Sequence, residues 1–227
     1  MEKNTRKIVA IGGGGFTHES DNTLDQFFLD QCSKKKIKLG FLATASKDDK
    51  KKINLFYKRF EKKNLDLSHF NLSHQISGFS SWLLSKDIIY VGGGNTTYML
   101  DVWNKNSLDK VFKKAYENGI VLAGVSAGAG CWFDWILSDS VGPGLKPLKG
   151  ISLISGSCTP HSSDKKRINQ FELNIKNGEL PPGLAIDDGV AVLFIDEKPS
   201  EVYSSRKNHK AYFINTNKKI SLEEYIK

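Results

Sequence analysis

The fold is decided by residues 120–130, which read IVLAGVSAGAG. The apolar run at 120–125 predicts a buried β-strand, and the small residues behind it predict a tight turn into a helix. Ser126 stands at the tip of that turn, inside a G-x-S-x-G sequence. Short apolar strands that lead into helices are typical of a parallel sheet covered on both faces.

Strand and helix alternate in the same way through the first two-thirds of the chain. The predicted strands cover residues 7–12, 38–44, 65–72, 88–91 and 120–125. The predicted helices cover residues 22–36, 48–63, 96–104 and 107–117, the first with Asp21 or Asn22 as its cap. Later strands, partly antiparallel, are expected over 184–195 and 200–214. These patterns predict an α/β three-layer sandwich with a mostly parallel central sheet, in one domain spanning residues 1–227.

Composition disfavours several classes of protein. The 227 residues are 39% hydrophobic and 26% charged, which is enough apolar material for a packed core. No apolar stretch is long enough to span a membrane, and the amino-terminal segment lacks the apolar run of a signal peptide. We therefore expect a cytoplasmic location and no membrane partner. The three cysteines, Cys32, Cys131 and Cys158, are widely spaced, so neither a disulfide framework nor a zinc site is predicted.

The net charge of +8 comes largely from lysine-rich stretches at 34–38, 47–52 and 58–63. Clustered lysines attract phosphate, but these alternate with apolar residues such as Phe56 and Phe60 at helical spacing, which is typical of a solvated helix face. Because no aromatic-rich nucleic-acid motif accompanies them, we expect no nucleic-acid partner.

The sequence around Ser126 fits a nucleophile elbow. A serine at the tip of a strand-to-helix turn takes strained backbone angles, so its neighbours must be small, as Gly124, Ala127 and Gly128 are. Such a turn exposes Oγ and directs the first N–H groups of the helix to the same point. The Ala127 N–H is therefore a candidate oxyanion donor. The competing interpretations are a glycine-rich loop that binds phosphate and a simple tight turn.

Three glycine-rich segments follow predicted strands, at 12–15, 92–94 and 124–130. Functional sites of parallel sheets collect at such strand ends, which indicates that the three segments share one site. A dinucleotide site is disfavoured, because Thr17 stands where the G-x-G-x-x-G spacing counted from Gly12 requires a third glycine.

A serine nucleophile needs a base near neutral pH, and histidine suits this task. The candidates are His18, His69, His74, His161 and His209. His161 is favoured because it follows a proline in a loop after the apolar residues 151–154. His18, in the first glycine-rich loop, could line the site, and the other three are assigned to structural or surface positions.

A carboxylate should hold the base in the right tautomer. The sequence IDDGVAV places Asp187 and Asp188 at the start of an apolar strand, where neighbouring side chains face opposite ways. At most one of the two would therefore face His161. A plain Asp-Gly turn is the competing interpretation, and Asp134 and Asp139 are rival orienting acids.

Three segments together resemble the dipeptidase E and cyanophycinase-like serine peptidases. They are GGGNTT at 92–97, GVSAGA at 124–129, and Pro160-His161 followed by RIN at 167–169. The likeness covers nearly the whole chain, in the family's order. It implies the flavodoxin-like sandwich of the class I glutamine amidotransferases, with serine where those enzymes use cysteine.

The resemblance also implies roles for individual residues. Ser126 would be the nucleophile and His161 the base, with Asp188 as the preferred orienting acid and Asp187 as the alternative. The loop after the fourth strand would supply a second oxyanion donor, Gly93 or Gly94, and would shape the pocket through Asn95 and Thr96.

One position departs from the aspartyl dipeptidases. Those enzymes carry an arginine shortly before their RIN segment, which is thought to grip the substrate aspartate, and the equivalent position here is Asp164. Strict specificity for an amino-terminal aspartate is therefore not expected. Lys165 or Lys166 could substitute, although a lysine lacks the planar two-pronged grip of arginine.

The expected function is that of a serine peptidase that hydrolyses small peptides through an acyl-enzyme, without a metal or organic cofactor. The alternatives are a non-catalytic module that binds a small anion or nucleotide on the same fold, and an esterase or amidase. A long distance between Ser126 Oγ and every histidine nitrogen would favour the binding module. The expected partner is a small peptide substrate, and a homodimer is left open.

Overall fold

The computed structural model describes residues 5–16, 22–61 and 64–226. Its strands are β1 (Lys7–Ile11), β2 (Ile37–Leu42), β3 (Leu65–His69), β4 (Ile88–Val91), β5 (Val121–Val125), β6 (Phe133–Ser138), β7 (Lys146–Lys149), β8 (Ile154–Pro160), β9 (Gly183–Ile186), β10 (Val190–Ile195), β11 (Lys198–Ser204), β12 (Ala211–Ile214) and β13 (Lys219–Ser221). Its helices are α1 (Asn22–Leu29), α2 (Lys50–Phe60), α3 (Phe79–Leu84), α4 (Thr96–Lys105), α5 (Asp109–Glu117), α6 (Ala127–Gly130), α7 (Lys165–Lys176) and α8 (Leu222–Tyr225).

A seven-stranded sheet forms the centre of the fold, in the order β11-β10-β1-β5-β4-β2-β3. The five strands from β1 to β3 in this order run parallel to one another. β10 pairs antiparallel with β1, and β11 pairs antiparallel with β10. The predicted α/β class with a mostly parallel central sheet is confirmed.

A second, six-stranded sheet has the order β13-β12-β9-β8-β6-β7. The strands expected over 184–195 and 200–214 are present, but they are divided between the two sheets. The first range contains β9 and β10, which belong to different sheets, and the second contains β11 and β12, which are divided in the same way. Gly189, with a φ of 77°, lets the chain turn sharply between β9 and β10.

Three of the predicted helices, α1, α2 and α5, lie where they were predicted but are shorter, whereas α4 extends one residue beyond its predicted end. α1 ends at Leu29 rather than at residue 36, because residues 30–36 offer almost no apolar side chain to bury. α2 begins after Asp49, whose side chain accepts a hydrogen bond from the Lys51 N–H at 2.9 Å. The predicted cap Asp21 lies outside the described residues.

Three helices, α3, α7 and the short α8, were not predicted. α7 carries Ile168, Phe171 and Ile175 at helical spacing, and all three are buried. They pack with Leu137 and Ala185 of the second sheet in a separate apolar cluster. α7 therefore covers the outer face of that sheet, directly after the loop that carries His161.

The central sheet is covered on both faces. α1 and α2 pack on one face through residues such as Phe28 and Phe56. On the other face, α3, α4 and α5 share a continuous apolar cluster with the inner side of the second sheet, including Trp103 and Phe133. Burial on both faces is the reason that the parallel strands read as uninterrupted apolar runs.

Among the described residues, no helix combines the length and the apolar character that crossing a membrane would require.

Candidate active site

The candidate site lies at the carboxyl ends of the parallel strands. β1 leads into residues 12–13, β4 into residues 92–95 and β5 into Ser126. β8 of the second sheet leads into His161, and the turn at 187–189 connects the two sheets. Loops at this edge of a parallel sheet are the usual position of a functional site.

Ser126 occupies a strained turn between β5 and α6. Its φ of 56° and ψ of −113° lie outside the regions that non-glycine residues favour. A Cβ at Gly124 would overlap the Gly128 carbonyl, and a Cβ at Gly128 would overlap the Val91 carbonyl. Close packing therefore requires the glycines of the G-x-S-x-G sequence. The Ser126 N–H also donates to the Ile11 carbonyl at 3.0 Å, which helps to hold the turn.

A line of hydrogen bonds joins Ser126, His161 and Asp188. His161 Nε2 lies 2.8 Å from Ser126 Oγ, and His161 Nδ1 lies 2.5 Å from Asp188 Oδ1. Because a carboxylate can only accept, the Nδ1–H faces Asp188 and leaves Nε2 to accept the serine proton. The His161 N–H donates to the Gly12 carbonyl at 3.3 Å, which ties this loop to the end of β1.

The Asp188 carboxylate lies in a polar and partly solvated pocket. The hydrogen bond from His161 lowers the pKa of Asp188 to about 2, against the opposing effect of burial. Ser163 Oγ donates to Asp188 Oδ2 at 2.6 Å and acts in the same direction. Asp188 is thus held as an anion against the imidazole.

Asp187 faces the other way. Its Oδ1 accepts a hydrogen bond from Ser162 Oγ at 2.6 Å, and its Oδ2 accepts one from the Lys210 N–H at 3.0 Å. The side chain is buried, so these bonds serve to anchor the turn. Of the two acids, Asp188 is the one that contacts His161.

Most of the other candidate bases and acids lie outside the cavity that contains Ser126, but Asp139 is part of its wall. His69 Nδ1 is 2.8 Å from the Tyr57 hydroxyl, and His209 Nδ1 donates to the Asp188 backbone carbonyl at 2.7 Å. His74 is exposed in the loop after β3, and His18 lies outside the described residues. Among the rival acids, Asp134 accepts the Gly156 N–H at 2.9 Å.

The loop after β4 approaches Ser126 from the side. Gly94 and Thr96 line the same cavity as Ser126 and Ala127. Asn95 is the cap of α4, where its Oδ1 accepts the Tyr98 N–H at 2.8 Å. Its side chain therefore fixes the start of the helix. Gly93 is buried behind the cavity wall, and its carbonyl accepts a hydrogen bond from Lys52 Nζ at 2.9 Å.

The cavity has a volume of about 220 Å³ and includes Ser126 and His161 in its wall. It also contains Arg167, which was quoted in the RIN segment but given no role from the sequence. The Arg167 side chain donates to Asp139 Oδ2 at 2.9 Å and to the Leu137 carbonyl at 3.2 Å. Asp139 follows β6 and Arg167 lies in α7, so the sequence alone does not indicate that these two residues form an ion pair.

Asp164, the position that departs from the aspartyl dipeptidases, is the cap of α7. Its Oδ1 accepts the Lys166 N–H at 2.8 Å. Asp164, Lys165 and Lys166 are all exposed and lie outside the cavity wall. The only cation in the wall, among the residues that the structure describes, is Arg167.

A larger cavity of about 630 Å³ lies at the opposite, amino-terminal edge of the strands and contains none of the predicted site residues. Lys34, which lines this cavity, pairs with Asp87 at 2.6 Å. Within residues 5–16, 22–61 and 64–226, no three His, Cys, Asp or Glu side chains form a group that could hold a metal ion.

The chain is a peptidase, because it matches the family model of a peptidase family over most of its length. It belongs to peptidase family S51, whose model matches residues 8–202. The resemblance to the dipeptidase E family is thereby confirmed. A curated relative from Bacillus subtilis (strain 168), named as the uncharacterized peptidase YgaJ, is 41% identical over 210 residues, which are 91% of each chain.

Two solved structures share the fold. A crystal structure of a peptidase from an acI-B1 actinobacterium superimposes with a TM-score of 0.71 at 16% identity, covering 96% of this chain and 98% of that one. A putative peptidase E protein from Listeria monocytogenes EGD-e gives a TM-score of 0.65 at 18% identity, covering 89% of this chain and 98% of that one. At these identities the likeness concerns the fold alone.

Proposed function

We propose that this peptidase is of the serine type and hydrolyses small peptides through an acyl-enzyme. One observation carries the proposal: the hydrogen-bonded line from Asp188 through His161 to Ser126, with distances of 2.5 and 2.8 Å. Nucleophile, base and orienting acid are within reach of one another, as acyl transfer requires. The short distance from Ser126 Oγ to an imidazole argues against a purely binding role.

In the proposed reaction, Ser126 Oγ attacks the peptide carbonyl carbon while its proton passes to His161 Nε2. The developing oxyanion is stabilised by the Ala127 N–H and by a glycine N–H of the loop after β4. The C–N bond then breaks as His161 returns the proton to the leaving amine. Water, deprotonated by the same imidazole, releases the acyl group as a carboxylic acid and restores Ser126.

The size of the cavity supports small substrates. A volume of about 220 Å³ is below the range usual for drug-sized ligands, so only a side chain or two can be enclosed. Because Arg167 is already paired with Asp139, the wall offers a compensated ion pair rather than a free cation. A strict demand for an acidic residue is therefore not proposed.

The test is Ser126→Ala, measured with a library of dipeptides and tripeptides of varied first residue and with a fluorophosphonate label. Loss of the nucleophile should reduce hydrolysis by about 10⁴-fold or more and abolish labelling, while the urea midpoint stays close to that of the wild type. Ser200→Ala, at an exposed position of β11, is the matched control. Hydrolysis that persists in Ser126→Ala would contradict the proposal, and cleavage of esters without peptides would favour the esterase alternative.

A further inference from the structure

Lys52 reaches from α2 to the glycine-rich loop after β4. Its Nζ donates to the Gly93 carbonyl at 2.9 Å, and its side chain is half-buried. The neighbouring Lys50 and Lys51 of the same helix are exposed. A buried ammonium is costly unless it is hydrogen-bonded, so this contact needs a compensating partner and has one in Gly93.

The Gly93 carbonyl belongs to the same peptide unit as the Gly94 N–H. In a trans peptide these two groups point in opposite directions, and no cis bond occurs in the described chain. A carbonyl directed at Lys52 therefore directs the Gly94 N–H away from α2. Gly94 lines the cavity that also contains Ser126 and Ala127.

The peptides on either side are fixed by other bonds. The Gly92 N–H donates to the Leu42 carbonyl at 2.9 Å, and the Asn95 N–H donates to the Ala45 carbonyl at 2.7 Å. Gly94 has a φ of +150°, and a Cβ there would overlap the Ala45 carbonyl. The loop is thus pressed against the segment before α2, and Lys52 holds the Gly93 carbonyl, which lies between these two anchors.

We propose that Lys52 is a positioning residue that orients and polarises the Gly93–Gly94 peptide, so that the Gly94 N–H is the second oxyanion donor. The inference rests on the proposed function, since an oxyanion hole has meaning only for acyl transfer. A cationic donor on the carbonyl strengthens the N–H at the other end of the same peptide, because linked hydrogen bonds polarise one another. The direction of the Gly93 carbonyl also selects the Gly94 N–H, rather than the Gly93 N–H, as the second oxyanion donor. The sequence had left this choice open.

The partial burial of the Lys52 side chain also supports a positioning role. Desolvation lowers the pKa of Lys52, and the charge of Asp49 opposes this effect. A lysine that served only to keep the surface of α2 soluble would extend into water, as Lys51 does.

The test compares Lys52→Met with Lys51→Met in the full-length protein. Both variants remove one positive charge from α2, but only Lys52 contacts the loop. We expect Lys52→Met to lower kcat by about 10- to 100-fold, less than the 10²- to 10³-fold loss typical of deleting a direct donor, while KM stays within about twofold. The rate of fluorophosphonate labelling should fall by a similar factor, because phosphonylation also develops charge on that oxygen. Lys51→Met should match the wild type, and Lys52→Arg should recover part of kcat.

A merely structural Lys52 would produce a different result. A kcat of Lys52→Met within about twofold of that of Lys51→Met, or a loss seen only in KM, would overturn the inference. Lys52→Gln is expected to lower kcat in the same way, so the proposal can still be tested if Lys52→Met fails to fold. Ser126→Ala is assayed in parallel: if it remains active, the proposed function fails, whereas an inactive Ser126→Ala beside an unaffected Lys52→Met refutes only the role of Lys52.

Discussion

At the scale of single residues, Asp188 links the candidate chemistry to stability. Its folded-state pKa of about 2 lies below the ordinary value of 3.8, chiefly because of the hydrogen bond from His161. A depressed carboxylate pKa stabilises the folded protein above the unfolded-state pKa, and this contribution disappears as the pH falls through the folded-state value. The relevant window therefore extends from about pH 4 down to about pH 2.

The prediction compares the free energy of unfolding of the wild type and Asp188→Asn by urea titration between pH 7 and pH 2. The wild type should be the more stable protein near neutral pH, and the difference should shrink as the pH falls through that window. Asp101→Asn, at an exposed position of α4, controls for the general loss of a negative charge. A difference that is independent of pH would contradict the assigned electrostatics.

Individual residues also show how much of the candidate site could be predicted from the sequence. Ser126, His161 and Asp188 were singled out because local signals surround them: a glycine-rich turn, a preceding proline and an Asp-Gly pair. The structure brings all three within hydrogen-bonding distance. Lys52 carried no such signal, and Arg167 was noted only as part of the RIN segment. Their contacts are with residues far away in the sequence, and only the folded chain brings them together.

At the scale of elements, the turn at 187–189 has two tasks. It carries Asp188, and it passes the chain from β9 in one sheet to β10 in the other. The apolar runs on either side were visible in the sequence, but the exchange of sheets was not. Periodicity reports which side chains are buried and does not report which strand lies beside which. For the same reason, the second sheet was foreseen only as later, partly antiparallel strands.

The end of β1 packs against this turn. Gly13 forms a parallel bridge with Asp188, and its carbonyl accepts the Gly189 N–H at 2.8 Å. A Cβ at Gly13 would overlap Asp188 Oδ1 and would lie 2.8 Å from His161 Nδ1. The first glycine-rich segment therefore leaves room for the contact between the Asp188 carboxylate and the His161 imidazole. This steric role accounts for Gly13 without a dinucleotide site.

Gly13→Ala is accordingly expected to displace Asp188 from His161 and to lower kcat by about 10²-fold or more. Gly40→Ala is the matched control, since a Cβ there meets Ile89 and Trp82 on the face of the sheet, away from the site. Both variants should lose stability by about 1–3 kcal/mol through overpacking, but only the first should lose activity per folded molecule. Equal activities of the two variants would contradict the role given to Gly13.

At the scale of the whole molecule, the candidate site is divided between two sheets. Ser126 follows a strand of the first sheet, His161 follows a strand of the second, and Asp188 lies in a turn between them. One apolar cluster joins the inner faces of both sheets, with Phe133 of β6 packed edge-on against Phe194 of β10 at 5.6 Å between ring centroids. Neither sheet can separate without exposing this shared core to water.

We therefore expect the molecule to unfold as one cooperative unit, in keeping with the single domain predicted over residues 1–227. Far-ultraviolet circular dichroism, tryptophan fluorescence and fluorophosphonate labelling should share one midpoint in urea. Phe171→Ala, which removes an α7 side chain from the outer cluster, should lower the free energy of unfolding by about 3–5 kcal/mol and shift all three probes together. Labelling that disappears at a lower urea concentration than the other signals, or a Phe171→Ala curve with two steps, would instead mean that the second sheet opens by itself and takes His161 away from Ser126.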